Sequence, residues 1–213
     1  MRREVSQKMR FVVLGATGGT GRHVVSNALA RGHQVVAFVR RAGAFEPTEG
    51  LTEVVWSDVS DGRTLATELA GTDVVISALG GADKGPTSVC TNAMRCAIPA
   101  MGSAGVSRLI VVSAHGVLES RDRSLYSLAT WASVAEKLKD KESMEPLITR
   151  SDLDWTIVRP PALRDSPARG RYEVGEQLPI KLWHSISRAD LAAFVVDEAE
   201  EPRFVRRYPR IHR

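Results

Sequence analysis

Three glycines at intervals of three, Gly15, Gly18 and Gly21, interrupt a short apolar run at Phe11–Leu14 and open a stretch with helical spacing, and this one feature restricts the fold more than any other. The pattern reads as strand, phosphate loop, helix. A first glycine lets the chain turn off the strand, a second lets backbone N–H groups approach a pyrophosphate, and a third lets the helix pack closely on the sheet. An anion would then sit on the helix N-terminus, where unpaired amides and the helix dipole favour negative charge. The position of the motif after an apolar strand and before a helix is the context such a loop requires.

The rest of the chain repeats strand and helix patterns in alternation. Strands are expected near 9–14, 34–40, 52–59, 72–81, 108–116 and 154–161. Helices are expected near 20–31, 62–70, 87–102 and 130–150, with Asp61 as a candidate N-cap and Gly71 as a stop. Strands that are nearly continuous apolar runs between helices imply a parallel sheet covered on both faces. With right-handed crossovers this gives an α/β fold, a doubly wound Rossmann-like sheet. Its ligand is expected beyond the carboxyl ends of the strands. A chain of 213 residues suits one such domain, expected over 9–213 after a loose segment at 1–8. The region 162–190 breaks the alternation and is expected to form a small C-terminal lobe on the substrate side.

Charge and composition exclude several classes. The ends, 1–10 and 201–213, carry nine basic residues against Glu4 and Glu201, so the net charge of +4 conceals an acidic body. Basic residues confined to solvated tails argue against a nucleic-acid groove. No apolar run reaches the roughly 18 residues of a membrane span, and no signal-peptide pattern precedes the first strand, so a cytoplasmic protein is expected. Cys90 and Cys96, with no second pair of ligands, read as free thiols rather than a disulfide or metal site.

The second strand selects a cofactor. Sites that prefer NAD place an acid at its end to hold the ribose hydroxyls, whereas a 2′-phosphate calls for arginine. Here the strand ends in Arg40-Arg41, with no acid before Glu46, which predicts NADP(H).

These features, with SDV at 57–59, ISALG at 76–80, VVSAHG at 111–116, SDLDWTIVRPP at 151–161 and ISRADLAAFV at 186–195, resemble the atypical short-chain dehydrogenase/reductases. Within that group the chain is most similar to the NmrA-like NAD(P)H-binding proteins and the biliverdin reductase B, or flavin reductase, type. The resemblance covers residue 9 to the C-terminus. It implies that Gly15, Thr17, Gly18, Gly19, Thr20 and Gly21 cradle the pyrophosphate. It likewise implies that Arg40 and Arg41 take the 2′-phosphate, Asp58 and Val59 the adenine, and Leu79 and Gly80 the ribose and nicotinamide. Ser113, Pro160 and Pro161 would complete the nicotinamide pocket.

The departures from the pattern bear on chemistry. Members with a Ser–Tyr–Lys mechanism place a tyrosine four residues before a lysine, so that the cation lowers the phenol pKa. The matching lysine is Lys141, and position 137 holds Lys137. Tyr126 has the spacing from Ser113 seen in shorter members, with Thr130 at its partner position. A histidine that follows the strand-ending prolines in the biliverdin reductase B pattern is Ala162 here. Lys141 therefore reads as a helix-surface charge or a ribose contact, and Ser113 as the candidate catalytic residue, donating a hydrogen bond to nicotinamide or substrate.

His115, at the mouth of the same site, is a second candidate for touching substrate. Trp131, Trp155 and Trp183 read as core or lobe anchors, and His23, His33 and His212 as surface or packing residues. Arg169, Arg171 and Tyr172 lie in a loop, 163–176, expected over the substrate. Two functions are expected: an NADPH-dependent reductase of a flavin, quinone or similar planar acceptor, or a non-catalytic NADP(H) sensor of NmrA-like type. The anticipated partner is a small planar molecule, with no nucleic acid and no membrane, bound by a monomer or weak homodimer.

Overall fold

The computed structural model describes residues 8–81, 85–122 and 124–213, so the expected loose segment at 1–8 lies almost wholly outside the described residues. Six strands, β1 (Arg10–Leu14), β2 (Gln34–Val39), β3 (Leu51–Val55), β4 (Val74–Ser77), β5 (Arg108–Val112) and β6 (Asp154–Val158), pair in parallel in the order β3-β2-β1-β4-β5-β6. The expected doubly wound sheet is present. Its order reverses between β1 and β4, with Val13 beside Ala37 on one flank and Ile76 on the other. That crevice is where the topology opens a ligand site.

The alternation of side chains along each strand supplies both cores. On β1, Phe11 and Val13 point to the face covered by α1 (Gly19–Ala30) and α5 (Arg188–Glu200), where they meet Val24, Val25, Leu191 and Phe194. Val12 and Leu14 point to the other face, against α2 (Gly62–Glu68), α3 (Val89–Ala104) and α4 (Leu125–Thr149), where they meet Leu65, Met94, Met101 and Met144. Both sets are fully buried, which is why the strand reads as an unbroken apolar run. Each such side chain contributes roughly 1.5–3 kcal/mol by leaving water.

The helix ends follow local rules. Asp61 caps α2 by accepting from the N–H groups of Arg63 and Thr64 at 3.0 and 3.2 Å. Ser187 caps α5 by accepting from Asp190 N at 2.9 Å, and its hydroxyl donates to the Asp190 carboxylate at 2.7 Å. The Asp61 cap is as expected. Helix α4 begins at Leu125, earlier than expected, and Val134 (φ −138, ψ 32) breaks it into an outer and an inner part.

The stretch from 162 onward forms two small ribbons. Strand β7 (Ala162–Arg164) pairs in parallel with β9 (Ser185–Ser187), and β8 (Glu173–Gly175) pairs antiparallel with β10 (Arg210–His212). The C-terminus corrects one expectation. It is not a solvated basic tail: Ile157 N donates to Arg207 O and Arg159 N to Pro209 O, and Ile211 is fully buried. The exposed edge of β6 provides unpaired backbone groups, and pairing them is worth more than hydrating the tail. Trp183 is a further correction, since it stands 71% exposed and meets only the His184 ring and Lys181 among the ring contacts of the described residues, whereas Trp155 is buried. No helix among the described residues is long and apolar enough to cross a membrane.

Candidate cofactor and active site

Because the six strands are parallel, every residue expected to bind cofactor emerges at the same edge of the sheet. Gly15–Gly21 follow β1, Arg40 and Arg41 follow β2, and Asp58 and Val59 lie beyond β3. Leu79 and Gly80 follow β4, Ser113 follows β5, and Pro160 and Pro161 follow β6.

The loop after β1 has the shape a pyrophosphate needs. Gly15 adopts φ +76, and a Cβ there would stand 2.9 Å from the Ala78 carbonyl carbon and oxygen on the neighbouring strand end. At Gly21 a Cβ would be 2.1 Å from Gly15 O, so the helix can dock on the loop only with glycine at that position. The turn closes through Gly18 N to Gly15 O at 3.0 Å, and the first helical bond is Arg22 N to Gly18 O at 2.9 Å. The N–H groups of Gly19, Thr20 and Gly21 precede that bond. Gly18, the N-cap, offers no side-chain cap and the first turn holds no acid. Donors without an intrahelical acceptor, with backbone open on one side, fit an anion.

The end expected to take the adenine is polar and open. Arg40 and Arg41 are exposed at the end of β2. The nearby carboxylate of Glu53 is engaged within the chain, accepting from Gly43 N at 2.8 Å and Phe45 N at 2.6 Å. Asp58 is exposed and accepts from Ser60 N and Oγ, hydrogen bonds that hold its carboxyl below the ordinary carboxylate range. Thr17, Val59 and Leu79 are half-buried around this edge, Thr20, Pro160 and Pro161 are buried, and Gly80 is exposed.

The end expected to take the nicotinamide is different in kind. Ser113 is 4% exposed, and its hydroxyl donates to Glu145 Oε1 at 2.5 Å. Glu145, fully buried, also accepts from Arg159 Nη2 at 2.5 Å and from Arg159 Nε at 3.3 Å. Arg159 reaches Glu119 as well and lies 4.2 Å from the Tyr208 ring centre. Burial pulls the Arg159 guanidinium down, but the hydrogen bonds it donates to Glu145 and Glu119 outweigh it and hold it above its ordinary value.

Lys141 corrects the surface-charge reading. It is buried, and its ammonium donates to Val112 O at 2.8 Å. Its neighbour Asp140 accepts from Cys90 N and Thr91 N, both at 2.9 Å, which ties α4 to the start of α3. Tyr126 is buried too, and burial pushes its phenol pKa up, the reverse of what a proton-donating tyrosine needs. His115 lies 5.4 Å from the Tyr126 ring with neither ring nitrogen hydrogen-bonded among the described residues. Burial, followed by the charge of Arg210, lowers its pKa to about 4, so it is neutral at pH 7.

Glu145 escaped the sequence reading. For Glu145 a signal existed: Leu138, Lys141, Glu145 and Ile148 share one helical stripe that is wholly buried, and two of the four carry charge. A buried acid on that stripe requires a cation, and Arg159 stands at the end of the facing strand. Among the described residues no cluster of potential metal ligands occurs, and Cys90 and Cys96 are free thiols.

Comparison with known proteins agrees with this geometry. Residues 15–202 match the family model described as NAD(P)H-binding. The Bacillus subtilis protein YwnB is 29% identical over 210 residues, covering 91% of this chain and 93% of its own. The anaerobillin reductase ChuY of Escherichia coli O157:H7 is 26% identical with a TM-score of 0.80, covering 95% of this chain and 96% of that one. A Veillonella parvula short-chain dehydrogenase/reductase, solved in complex with NADP, shares the fold at 17% identity and a TM-score of 0.81, covering 96% of this chain and 94% of that one. A glycine loop that tolerates no Cβ, an uncapped helix start and a family match spanning both lead to one conclusion: the chain belongs to the NAD(P)H-binding family of Rossmann-fold proteins.

Proposed function

We propose that this protein is an NADPH-dependent reductase that delivers hydride to a flavin, quinone or similar planar acceptor. The observation that carries the reading is the commitment of the polar groups beneath the nicotinamide end to internal partners. Ser113 is turned to Glu145, Lys141 to Val112 O, and position 137 is a lysine where a proton-donating tyrosine would stand.

A bound nicotinamide supplies the hydride, and planar acceptors of this class need stacking and distance more than a protein acid, because solvent can provide the proton. In this reading Arg40 and Arg41 favour the 2′-phosphate and Gly15–Gly21 orient the pyrophosphate. Ser113, Pro160 and Pro161 hold the strand ends beneath the nicotinamide. The reductase activity named for ChuY supports the reaction class.

The same commitment of Ser113 and Lys141 favours, as a second reading, a non-catalytic NADP(H) sensor. Steady-state oxidation of NADPH with FMN, riboflavin, quinones and biliverdin separates the two. Turnover with at least one of these acceptors is expected. Tight NADPH binding without turnover on any of them establishes the sensor instead.

A further inference from the structure

The start of α5 meets the phosphate loop from outside. Arg188, the first residue of α5, lays its side chain over Gly19: its Cδ and Nε lie 2.7 and 2.8 Å from where a Cβ on Gly19 would stand. A side chain at position 19 would push the arginine away from the loop backbone. Beyond that contact the guanidinium Nη1 reaches Asp165 Oδ1 at 2.8 Å, with the two side chains 27% and 82% exposed. An ion pair this exposed on one side is weak, so little holds the arginine on that partner.

The loop itself offers only dipoles. No residue from Gly15 to Gly21 is charged, and the next cation, Arg22, donates to Ala44 O at 3.2 Å and lies over the Phe45 ring at 5.0 Å. A dinucleotide pyrophosphate carries two negative charges, and a charge-assisted bond from a guanidinium is about twice as strong as one from a neutral amide.

We propose that Arg188 is a pyrophosphate-binding residue, which exchanges Asp165 for a phosphate oxygen when NAD(P)H enters the loop. In the same first turn, Asp190 accepts from Arg169 N and Gly170 N at 2.9 Å, so α5 carries both the phosphate cation and the anchor of the 163–176 loop. The inference rests on NAD(P)H binding and is independent of the acceptor and of the preference for a 2′-phosphate.

Equilibrium binding, read from NADPH fluorescence and from the rise in Tm on adding NADPH, tests it in four proteins: wild type, Arg188→Met, Arg188→Lys and Asp165→Asn. Methionine keeps an unbranched apolar stem over Gly19 and removes the charge. It should raise the NADPH Kd about tenfold or more, with lysine recovering part of the loss. Asp165→Asn removes the competing carboxylate and should tighten binding about twofold to fivefold. Wild-type affinity in Arg188→Met, or unchanged or weaker binding in Asp165→Asn, overturns the proposal. Asp165→Asn changes only an exposed side chain and keeps the test decisive if Arg188→Met fails to fold.

Discussion

The two ends of the site, one after β1 and β2 and the other after β5 and β6, solve opposite problems. At the first, the chain leaves donors and cations uncommitted: the amides of Gly19 to Gly21 and the exposed Arg40 and Arg41. At the second, the main polar groups have been taken inside and engaged with one another or with backbone, as Ser113–Glu145–Arg159 and Lys141–Val112 O show. Uncommitted polar groups bind, while buried paired ones hold structure, because breaking a buried pair leaves an uncompensated charge. Substitutions at the first end should therefore move affinity, and substitutions at the second should move stability.

Glu145→Gln offers the hardest blow to that division. It removes the charge that Arg159, only 1% exposed, is paired with, and should destabilise the fold by about 3–5 kcal/mol. In a chain of this length that lowers Tm by roughly 10 °C, read by calorimetry. A shift within a degree would mean that Arg159 is satisfied by Glu119 alone.

Gly21→Ala comes next. Its Cβ would fall 2.1 Å from Gly15 O, so the helix must retreat from the loop, at a cost of about 1–3 kcal/mol. NADPH binding should be lost along with that stability, measured by the absence of any NADPH-induced rise in Tm. Affinity and stability should fall together here, since the groups expected to bind are themselves the packing.

The smallest effect concerns His115 and pH. Its ordinary value of 6.5 and its folded value of about 4 mean that the unfolded chain takes up a proton in that window while the folded chain does not. Stability therefore falls as pH drops from 6.5 toward 4. His115→Phe should lose less between pH 7 and pH 5 than wild type, compared by urea midpoint. Equal losses would show that the ring can leave its buried position to be protonated.

What could be read from the sequence divides along the same line. The parallel sheet, its two covered faces and the glycine loop followed from local pattern, because strand burial and tight turns leave their mark in neighbouring residues. The network beneath the nicotinamide end depends on contacts between residues far apart, as with Ser113 and Glu145, 32 positions away. The C-terminal segment misled for a related reason: its arginines look solvated, yet the backbone of 207–210 pairs with the edge of β6. Arg188 was hidden within a motif whose other polar members, Ser187 and Asp190, are fully accounted for as a helix cap.

Arg40→Ala and Glu145→Gln, compared side by side for NADPH affinity, NADH affinity and Tm, test the division most directly. Arg40→Ala should weaken NADPH about tenfold or more while leaving NADH affinity and Tm close to wild type. Glu145→Gln should lower Tm and, at a temperature well below its transition, bind NADPH within about threefold of wild type, a difference under about 1 kcal/mol. Equal losses of NADPH and NADH in the arginine variant, or loss of NADPH binding by folded Glu145→Gln, would contradict the account.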